Sequence, residues 1–134
     1  MDSTDSLGKL VLRLSVGGLL LLHGVHKLLD GIGPIKQMVA VHGVPDWLAY
    51  GVYLGEVVGP ILVILGLFSR IGGALIAVNM IVAVLLAGLG HLLSLNPMGG
   101  YALELEAFYL FGAVAVILLG AGGFSLGGSH GRWN

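Results

Sequence analysis

The chain has 134 residues, of which 57% are hydrophobic and only 10% are charged. A soluble domain of this length would carry about a quarter charged residues and could not bury so much apolar surface, so lipid is the expected solvent. The net charge of −1 comes without a basic stripe, which argues against nucleic acid as a partner. The absence of cysteine excludes disulfides and thiolate ligands to a metal or an iron–sulfur cluster.

Four apolar segments are long enough to cross a bilayer, because a spanning helix needs about 20 mostly apolar residues. They cover about residues 7–29, 48–68, 71–93 and 103–120. Glycine and proline clusters or short polar turns separate them. The sequence therefore predicts an all-α polytopic membrane protein, a four-transmembrane-helix bundle. It forms one domain over residues 1–126, followed by a flexible tail from 127 to 134.

The first loop contains apolar residues at roughly helical spacing over residues 34–42, too few to span. This pattern predicts a short interfacial helix, with an ordinary loop as the alternative. Cationic residues are unequal on the two sides of the membrane, with four on the side of the termini and two on the other: Lys9, Arg13, Arg70 and Arg132 against Lys27 and Lys36. Both termini are therefore expected in the cytoplasm.

Glycines repeat every fourth residue on the second predicted span, at Gly51, Gly55 and Gly59. Such a stripe permits close approach of another helix. It serves either packing inside the bundle or a contact between copies in a homo-oligomer.

All four predicted spans place polar side chains in the half of the bilayer away from the termini. At a rise of about 1.5 Å per residue, His23 lies about 9 Å and Glu56 about 12 Å below the outer ends of their helices. A charge in hydrocarbon costs about 3 kcal/mol on insertion scales, so such groups normally face the bundle interior. We expect a shared chamber that these residues line: His23, His26, Lys27, Glu56, His91, Glu104 and Glu106.

Each of these polar residues also has a structural interpretation. His26 could face the headgroups, Lys27 could snorkel, His91 could only end a helix, and Glu56 could belong to a structural pair. Glu104 and Glu106 are two residues apart and cannot share a helix face, so which of them faces the chamber stays open.

Two polar residues lie deeper, in the inner half of the predicted bundle. Arg13 is expected to be structural or to snorkel inward. Asn79 is expected to form an interhelical hydrogen bond, too far down for Glu56. A metal is not expected, because the Glu-x-x-His pairs of di-iron bundles do not occur in the sequence. Haem held by His91 with His23 or His26 is not expected either.

Several short sequence blocks, taken in their order along the chain, resemble the DoxX family of small four-helix membrane proteins. They are "RLSVGG", "HGVHKL", "HGVPDWLAY", "GEVVGPILVILGLFSRIGG", "NPMGGYALELE" and "GAGGFSL". The last block lacks the Gly-Pro-Gly-Arg pattern common in the family, and "LELE" leaves the family's acidic position open between Glu104 and Glu106. The resemblance implies a relation to the membrane subunit of an archaeal thiosulfate:quinone oxidoreductase and a place in a bacterial or archaeal cell (inner) membrane. Quinone is therefore an implied cofactor, and a redox subunit is an implied partner.

Two hypotheses about function follow. In the first, the protein is a quinone-interacting or accessory subunit of a membrane oxidoreductase. His23 hydrogen-bonds a quinone carbonyl, and Glu56 relays the proton. Histidine suits such a site because it titrates near neutral pH. Lys27 and one acid of the fourth helix shape the mouth of the chamber. In the second, the protein is a non-catalytic assembly, scaffold or small-solute-handling subunit, and its polar cluster is structural.

Overall fold

The structure is a computed structural model and describes residues 3–134. Residues 1 and 2, with which the predicted domain begins, lie outside the described part of the chain. The α-helices of this part of the chain are α1 (Ser3–Asp30), α2 (Gly33–Val41), α3 (Gly59–Leu65), α4 (Ser69–Ala83) and α5 (Glu104–Leu119). Residues 3–134 contain no β-strand, only an isolated bridge between Leu95 and Tyr101. The predicted all-α class is confirmed.

Two of the long helices change their winding part of the way along. The helix Asp46–Leu65 begins with a 3-10 segment, passes through the π-helical segment Leu54–Val58 and ends as α3. The helix Ser69–His91 continues α4 through a second π-helical segment, Val84–Gly88. Pro60 contributes to the first π-helical segment, because proline has no N–H to donate to the carbonyl of Glu56 four residues earlier.

In the described part of the chain, three helices are long and apolar enough to cross a membrane: Ser3–Asp30, Asp46–Leu65 and Ser69–His91. By length and composition the chain is therefore a polytopic membrane protein. The fourth predicted span coincides with α5, which has 16 residues and a length of about 24 Å. The predicted short helix of the first loop is present as α2, one residue earlier than expected.

Helix α4 lies at the centre of the packing. It contacts α3 and α5, while α1 packs against α3 and α5 from the other side. All four helices contribute to one apolar core, which consists of Val16, Leu20, Val63, Ile76, Ala77, Met80, Tyr109, Ala113 and Val116. A second cluster joins α2 to the two widened helices through Ile32, Val39 and Ala49, with Leu86 packed against it.

The predicted glycine stripe lies mostly against α4 of the same chain. A Cβ atom at Gly55 would overlap the side chain of Asn79. Gly59 and Gly72 face each other so closely that a Cβ at either would come within 3.0 Å of the other's carbonyl oxygen. Gly51 has nothing within 4 Å of such an atom. Gly55 and Gly59 therefore allow close packing within the bundle, and Gly51 alone of the three leaves open space.

Arg13 is buried at the end of the bundle that holds the turn between α3 and α4, called here the turn end. Its guanidinium donates four hydrogen bonds of 2.9–3.0 Å, all to backbone carbonyls, namely those of Val63, Ile64, Ala121 and Phe124. With 1% exposure it does not snorkel. Arg13 is thus structural, which was one of the two expectations for it.

The tail that was predicted to be flexible folds back on the turn end. Gly127 N donates to Gly66 O at 3.0 Å, and Arg70 N donates to Trp133 O at 3.0 Å. The side chain of Asn134 accepts a hydrogen bond from Ser69 N, also at 3.0 Å. These bonds satisfy backbone groups that the ends of α3 and α4 leave without helical partners.

Candidate functional site

Glu56 is a buried carboxylate in the apolar interior, with 5% of its surface exposed. It lies on the π-helical segment Leu54–Val58, a type of irregularity that is frequent at functional sites. Gly24 of α1 lies directly against the Glu56 backbone, where a Cβ atom would overlap the carbonyl oxygen. Glycine at this position lets the two helices approach closely enough for their side chains to meet.

Two side chains from two other helices satisfy the Glu56 carboxylate. Lys27 of α1 forms an ion pair with Oε1. Asn79 of α4 donates a hydrogen bond from Nδ2 to Oε2 at 3.0 Å. The ammonium compensates the buried negative charge, and the amide satisfies the second oxygen. Residues Lys27, Glu56 and Asn79 are called the polar triad below.

Lys27 is itself held in place by the second long helix. The hydroxyl of Tyr53 donates a hydrogen bond of 3.1 Å to the Lys27 backbone carbonyl. The side chain of Lys27 is 24% exposed, so it connects the buried carboxylate to more accessible space.

The expectation that Asn79 lies too deep for Glu56 is wrong. Glu56 lies nine residues before Leu65, and Asn79 lies ten residues after Ser69. At about 1.5 Å per residue, both lie about 14–15 Å from the turn that joins their helices. Depths counted from the predicted outer ends concealed this, because the second helix begins at Asp46 and the third ends at His91, each two residues before the predicted limit. The expectation that Asn79 forms an interhelical hydrogen bond is confirmed.

The polar triad lies on the wall of a cavity of about 670 Å³. Its other walls come from α2, from the helix Asp46–Leu65 and from α4 and its widened continuation, and they are almost entirely apolar. Ile35, Met38 and Val39 of α2 line one side. Ligand pockets are typically about 300–1,000 Å³, apolar and equipped with a few convergent polar groups. The cavity has these properties.

The structure brings Lys27 and Glu56 together but directs the histidines of α1 elsewhere. His23 is exposed and stacks edge-on against Tyr109, with ring centroids 6.0 Å apart. Tyr109 is a core residue within electrostatic reach of Glu56. His26 forms an exposed pair with Asp30, with 3.1 Å between Nδ1 and Oδ2. Neither histidine lines the cavity.

The remaining candidates lie at the outer ends of the third and fourth helices. His91 and Glu104 are exposed, and Glu106 is half-buried. None of the three lines the cavity that contains the polar triad. Within residues 3–134, no group of three or more His, Cys, Asp or Glu side chains is arranged to hold a metal ion.

Sequence reasoning missed the contribution of Asn79 and of α2 to this site. The signal for Asn79 was available, because it is a lone amide inside an apolar span and lies level with Glu56 when counted from the shared turn. The signal for α2 was weaker. Its apolar spacing predicted a helix but did not indicate which helices it covers.

The fold and the site define a small polytopic membrane protein with a ligand-sized cavity beside a buried ion pair. A family model described as DoxX matches residues 8–89, which is more than half of the chain and includes the whole polar triad. The chain belongs to the DoxX family.

One curated relative supports this assignment. The chain is 31% identical over 110 residues to a protein of Bacillus subtilis (strain 168) named "Putative oxidoreductase CatD". The alignment covers 82% of this chain and 81% of that protein. No solved structure matches the chain.

Proposed function

We propose that the cavity beside the polar triad binds a quinone, and that the protein is a quinone-interacting or accessory subunit of a membrane oxidoreductase system. One observation carries this proposal: a compensated but ionisable carboxylate lies on the wall of an apolar cavity of about 670 Å³. The name of the Bacillus subtilis relative, an oxidoreductase, agrees with the class of reaction.

The residues present fit a quinone head group. Its carbonyl oxygens need hydrogen-bond donors, and the Lys27 ammonium has three N–H groups, of which one is used on Glu56. Its ring and apolar substituents need apolar walls, which α2 and α4 supply through side chains such as Met38 and Val82. The cavity is not fully enclosed, so a ligand could enter it.

When bound, a quinone would supply two-electron, two-proton redox chemistry. In this proposal Lys27 orients the ligand by donating a hydrogen bond, and Glu56 holds or releases a proton at its Oε1 atom. Asn79 keeps the carboxylate oriented in either protonation state. The chain contains no cysteine for an iron–sulfur centre, so electrons would come from a partner redox subunit or from a bound cofactor.

His23 has a supporting place in the same proposal. Its exposed ring contacts Tyr109, which lies near Glu56. Histidine exchanges protons near neutral pH, so His23 is the proposed exchange point between the buried carboxylate and the outer surface. His26, His91, Glu104 and Glu106 would then contribute only to the charge of that surface.

The proposal includes a membrane arrangement. Helix α5 is the fourth span, and α2 lies at the outer membrane surface over the cavity. Both termini face the cytoplasm of a bacterial or archaeal cell, because Lys9, Arg70 and Arg132 lie toward the turn end. Gly51 remains the position of the glycine stripe that is free for a contact between copies.

The test is quinone binding by the purified protein in neutral detergent. Trp133→Phe leaves Trp47, next to the lining residue Leu48, as the fluorescent reporter. Menadione and decylubiquinone are titrated, and quinone that copurifies is identified by mass spectrometry. We expect Glu56→Gln to weaken binding about tenfold, the equivalent of 1.4 kcal/mol. Glu106→Gln, a half-buried carboxylate outside the cavity, is the matched control and should bind normally.

A second candidate function is favoured by the mutual satisfaction of the polar triad. Both carboxylate oxygens of Glu56 have partners, as in a purely structural network of an assembly or scaffold subunit. The double variant Lys27→Met/Glu56→Gln separates the two functions. It removes both charges while keeping similar volumes, so it should fold. Loss of quinone binding in a folded double variant supports the redox role. Unchanged binding, or no binding by the wild type, would contradict it.

A further inference from the structure

A second cavity lies at the turn end, beside the first one along α4, with which it shares Leu75 and Val78. It is a groove of about 520 Å³ between α4 and α5. Its apolar walls include Ile71, Leu75 and Val78 on α4 and Ile117 on α5. Arg70, Arg132 and Trp133 line it as well. We propose that this groove binds an anionic phospholipid, with the phosphate against the two arginines and one acyl chain along the apolar walls.

The two arginines have spare hydrogen-bonding capacity. Arg70 Nη1 donates to Ile117 O at 2.9 Å, which is one of the five N–H groups of a guanidinium. Arg70 Nε is buried and has no hydrogen-bond partner in the described part of the chain. Arg132 lies over the ring of Trp133, 5.0 Å from its centroid. Among residues 3–134, no carboxylate forms a salt bridge with either guanidinium.

This arrangement fits a phosphate group better than a carboxylate of the protein. Guanidinium groups bind phosphate oxygens through paired, charge-assisted hydrogen bonds. In the proposed orientation the groove opens at the cytoplasmic leaflet, where anionic lipids attract basic groups near the surface. Tryptophan is also typical of this depth, because its ring is amphipathic.

The apolar walls select a lipid over a soluble phosphate ester. From Arg70 to Val78 the groove follows eight residues of α4, a distance of about 12 Å. A soluble phosphate would contact the arginines and leave these walls exposed. An acyl chain covers them and places its own phosphate at the mouth of the groove. The proposal does not depend on quinone binding, since the two cavities share only Leu75 and Val78.

Tryptophan fluorescence tests this site directly. The variant Trp47→Phe leaves Trp133 as the only tryptophan of the chain. The protein is reconstituted into phosphatidylcholine vesicles that contain either dibromo-phosphatidylglycerol or dibromo-phosphatidylcholine at the same mole fraction. We expect stronger quenching by the brominated anionic lipid. Equal quenching by the two lipids would overturn the proposal.

Charge variants locate the preference within the groove. Each arginine should contribute about a fivefold preference for the anionic lipid. Arg132→Gln should therefore reduce the preference about fivefold, and Arg132 is exposed, so this variant should fold. Arg70→Gln should do the same, with its helical content checked by circular dichroism. Lys36→Gln, which removes a cation from α2, is the control and should leave the preference unchanged. An equal loss in Lys36→Gln would indicate nonspecific attraction and contradict the site.

A competition experiment distinguishes a lipid from a soluble ligand. Glycerol phosphate is added in excess to vesicles that contain the brominated anionic lipid. Quenching of Trp133 should persist, because the competitor has no acyl chain. If glycerol phosphate abolishes quenching, the groove binds soluble phosphate esters and the lipid proposal is wrong.

Discussion

Two buried charged side chains of the same bundle, Arg13 and Glu56, have different kinds of hydrogen-bond partners. Arg13 is 1% exposed and donates four hydrogen bonds to backbone carbonyls. Glu56 is 5% exposed, but its partners are the side chains of Lys27 and Asn79, and it lies on a cavity wall. Backbone acceptors cannot move away without unfolding, whereas side chains can change partners. The turn end therefore depends on backbone contacts for its stability, whereas we expect the side chains of the polar triad to be able to change partners.

The chemistry of the two groups supports this difference. A guanidinium stays protonated under all ordinary conditions, so Arg13 can act only as a permanent clamp. A carboxylate can gain a proton, and an ammonium can redirect its hydrogen bonds, so we expect the Lys27–Glu56 pair to be able to rearrange when a ligand binds. Substitutions of Arg13 should therefore change the stability of the protein, and substitutions in the polar triad should also change ligand binding.

The largest effect is expected for Arg13→Ala. The substitution removes four hydrogen bonds from a charged donor, each worth about 1.5–3 kcal/mol, and leaves four buried carbonyls with fewer partners. We expect the protein either to unfold or to lose more than about 4 kcal/mol of stability, measured by thermal denaturation in detergent. Arg132→Ala is the control, because exposed substitutions usually change stability by less than about 0.5 kcal/mol. Equal stabilities for the two variants would contradict the stabilising role of Arg13.

The next effect is expected at the ion pair of the polar triad. Lys27→Met leaves the buried Glu56 carboxylate without its compensating charge, and breaking a buried pair costs about 3–5 kcal/mol. Lys27 is 24% exposed, so we expect the lower part of that range. Adding Glu56→Gln should restore most of the stability, since no uncompensated charge is then left. A double variant as unstable as the single one would show that packing, not charge, governs this position.

A smaller effect is expected where the two helices approach at Gly24. In Gly24→Ala the new methyl group would overlap the Glu56 carbonyl oxygen, and overpacking of this kind costs about 1–3 kcal/mol. Quinone binding should weaken in parallel because the polar triad is pushed apart. Gly18→Ala on the same helix is the matched control, since nothing lies within 4 Å of its Cβ. Gly18→Ala should be neutral or stabilising, and a similar loss in both variants would contradict the close approach.

The smallest effect concerns Lys36, a half-buried lysine of α2 that serves as a reference for Lys27. The Tyr50 hydroxyl raises the pKa of Lys36, and the Lys36 ammonium lies 4.6 Å from the Tyr50 ring centroid. Because the folded pKa is raised, this contact stabilises the fold below the pKa of an unfolded lysine and is lost as the pH rises through the folded pKa. NMR titration of labelled lysine should show the midpoint of Lys36 falling in Tyr50→Phe. An unchanged midpoint would mean that the hydroxyl has no influence on Lys36.

The sequence was sufficient for the features that lipid imposes. A bilayer requires long apolar helices, so hydropathy located the three long helices and α5 to within a few residues. The same constraint made Glu56 conspicuous, because a carboxylate in a span needs compensation. The structural role of Arg13 was also foreseen, although its acceptors were not, because backbone carbonyls at helix ends carry no residue-specific signal.

The features that the sequence did not provide depend on how the helices are placed against one another. Spacing put His23, His26 and Lys27 on one face, yet His26 pairs with Asp30 four residues on, and only Lys27 reaches Glu56. The sequence of the third helix did not show how deep its residues lie relative to those of the second helix. The depths became comparable only when residues were counted from the turn that joins the two helices. The cavity exists only because α2 folds over the gap between those helices, which is a tertiary event.

The π-helical segment Leu54–Val58 amounts to one extra residue in a turn of helix. A homologous chain lacking one residue in this segment would keep its hydropathy and its glutamate. Its carboxylate, however, would be turned by about 100° around the helix axis relative to the residues that follow. Alignments of such chains should therefore treat a single gap there as a change of direction of the acid, and not as a neutral difference in length.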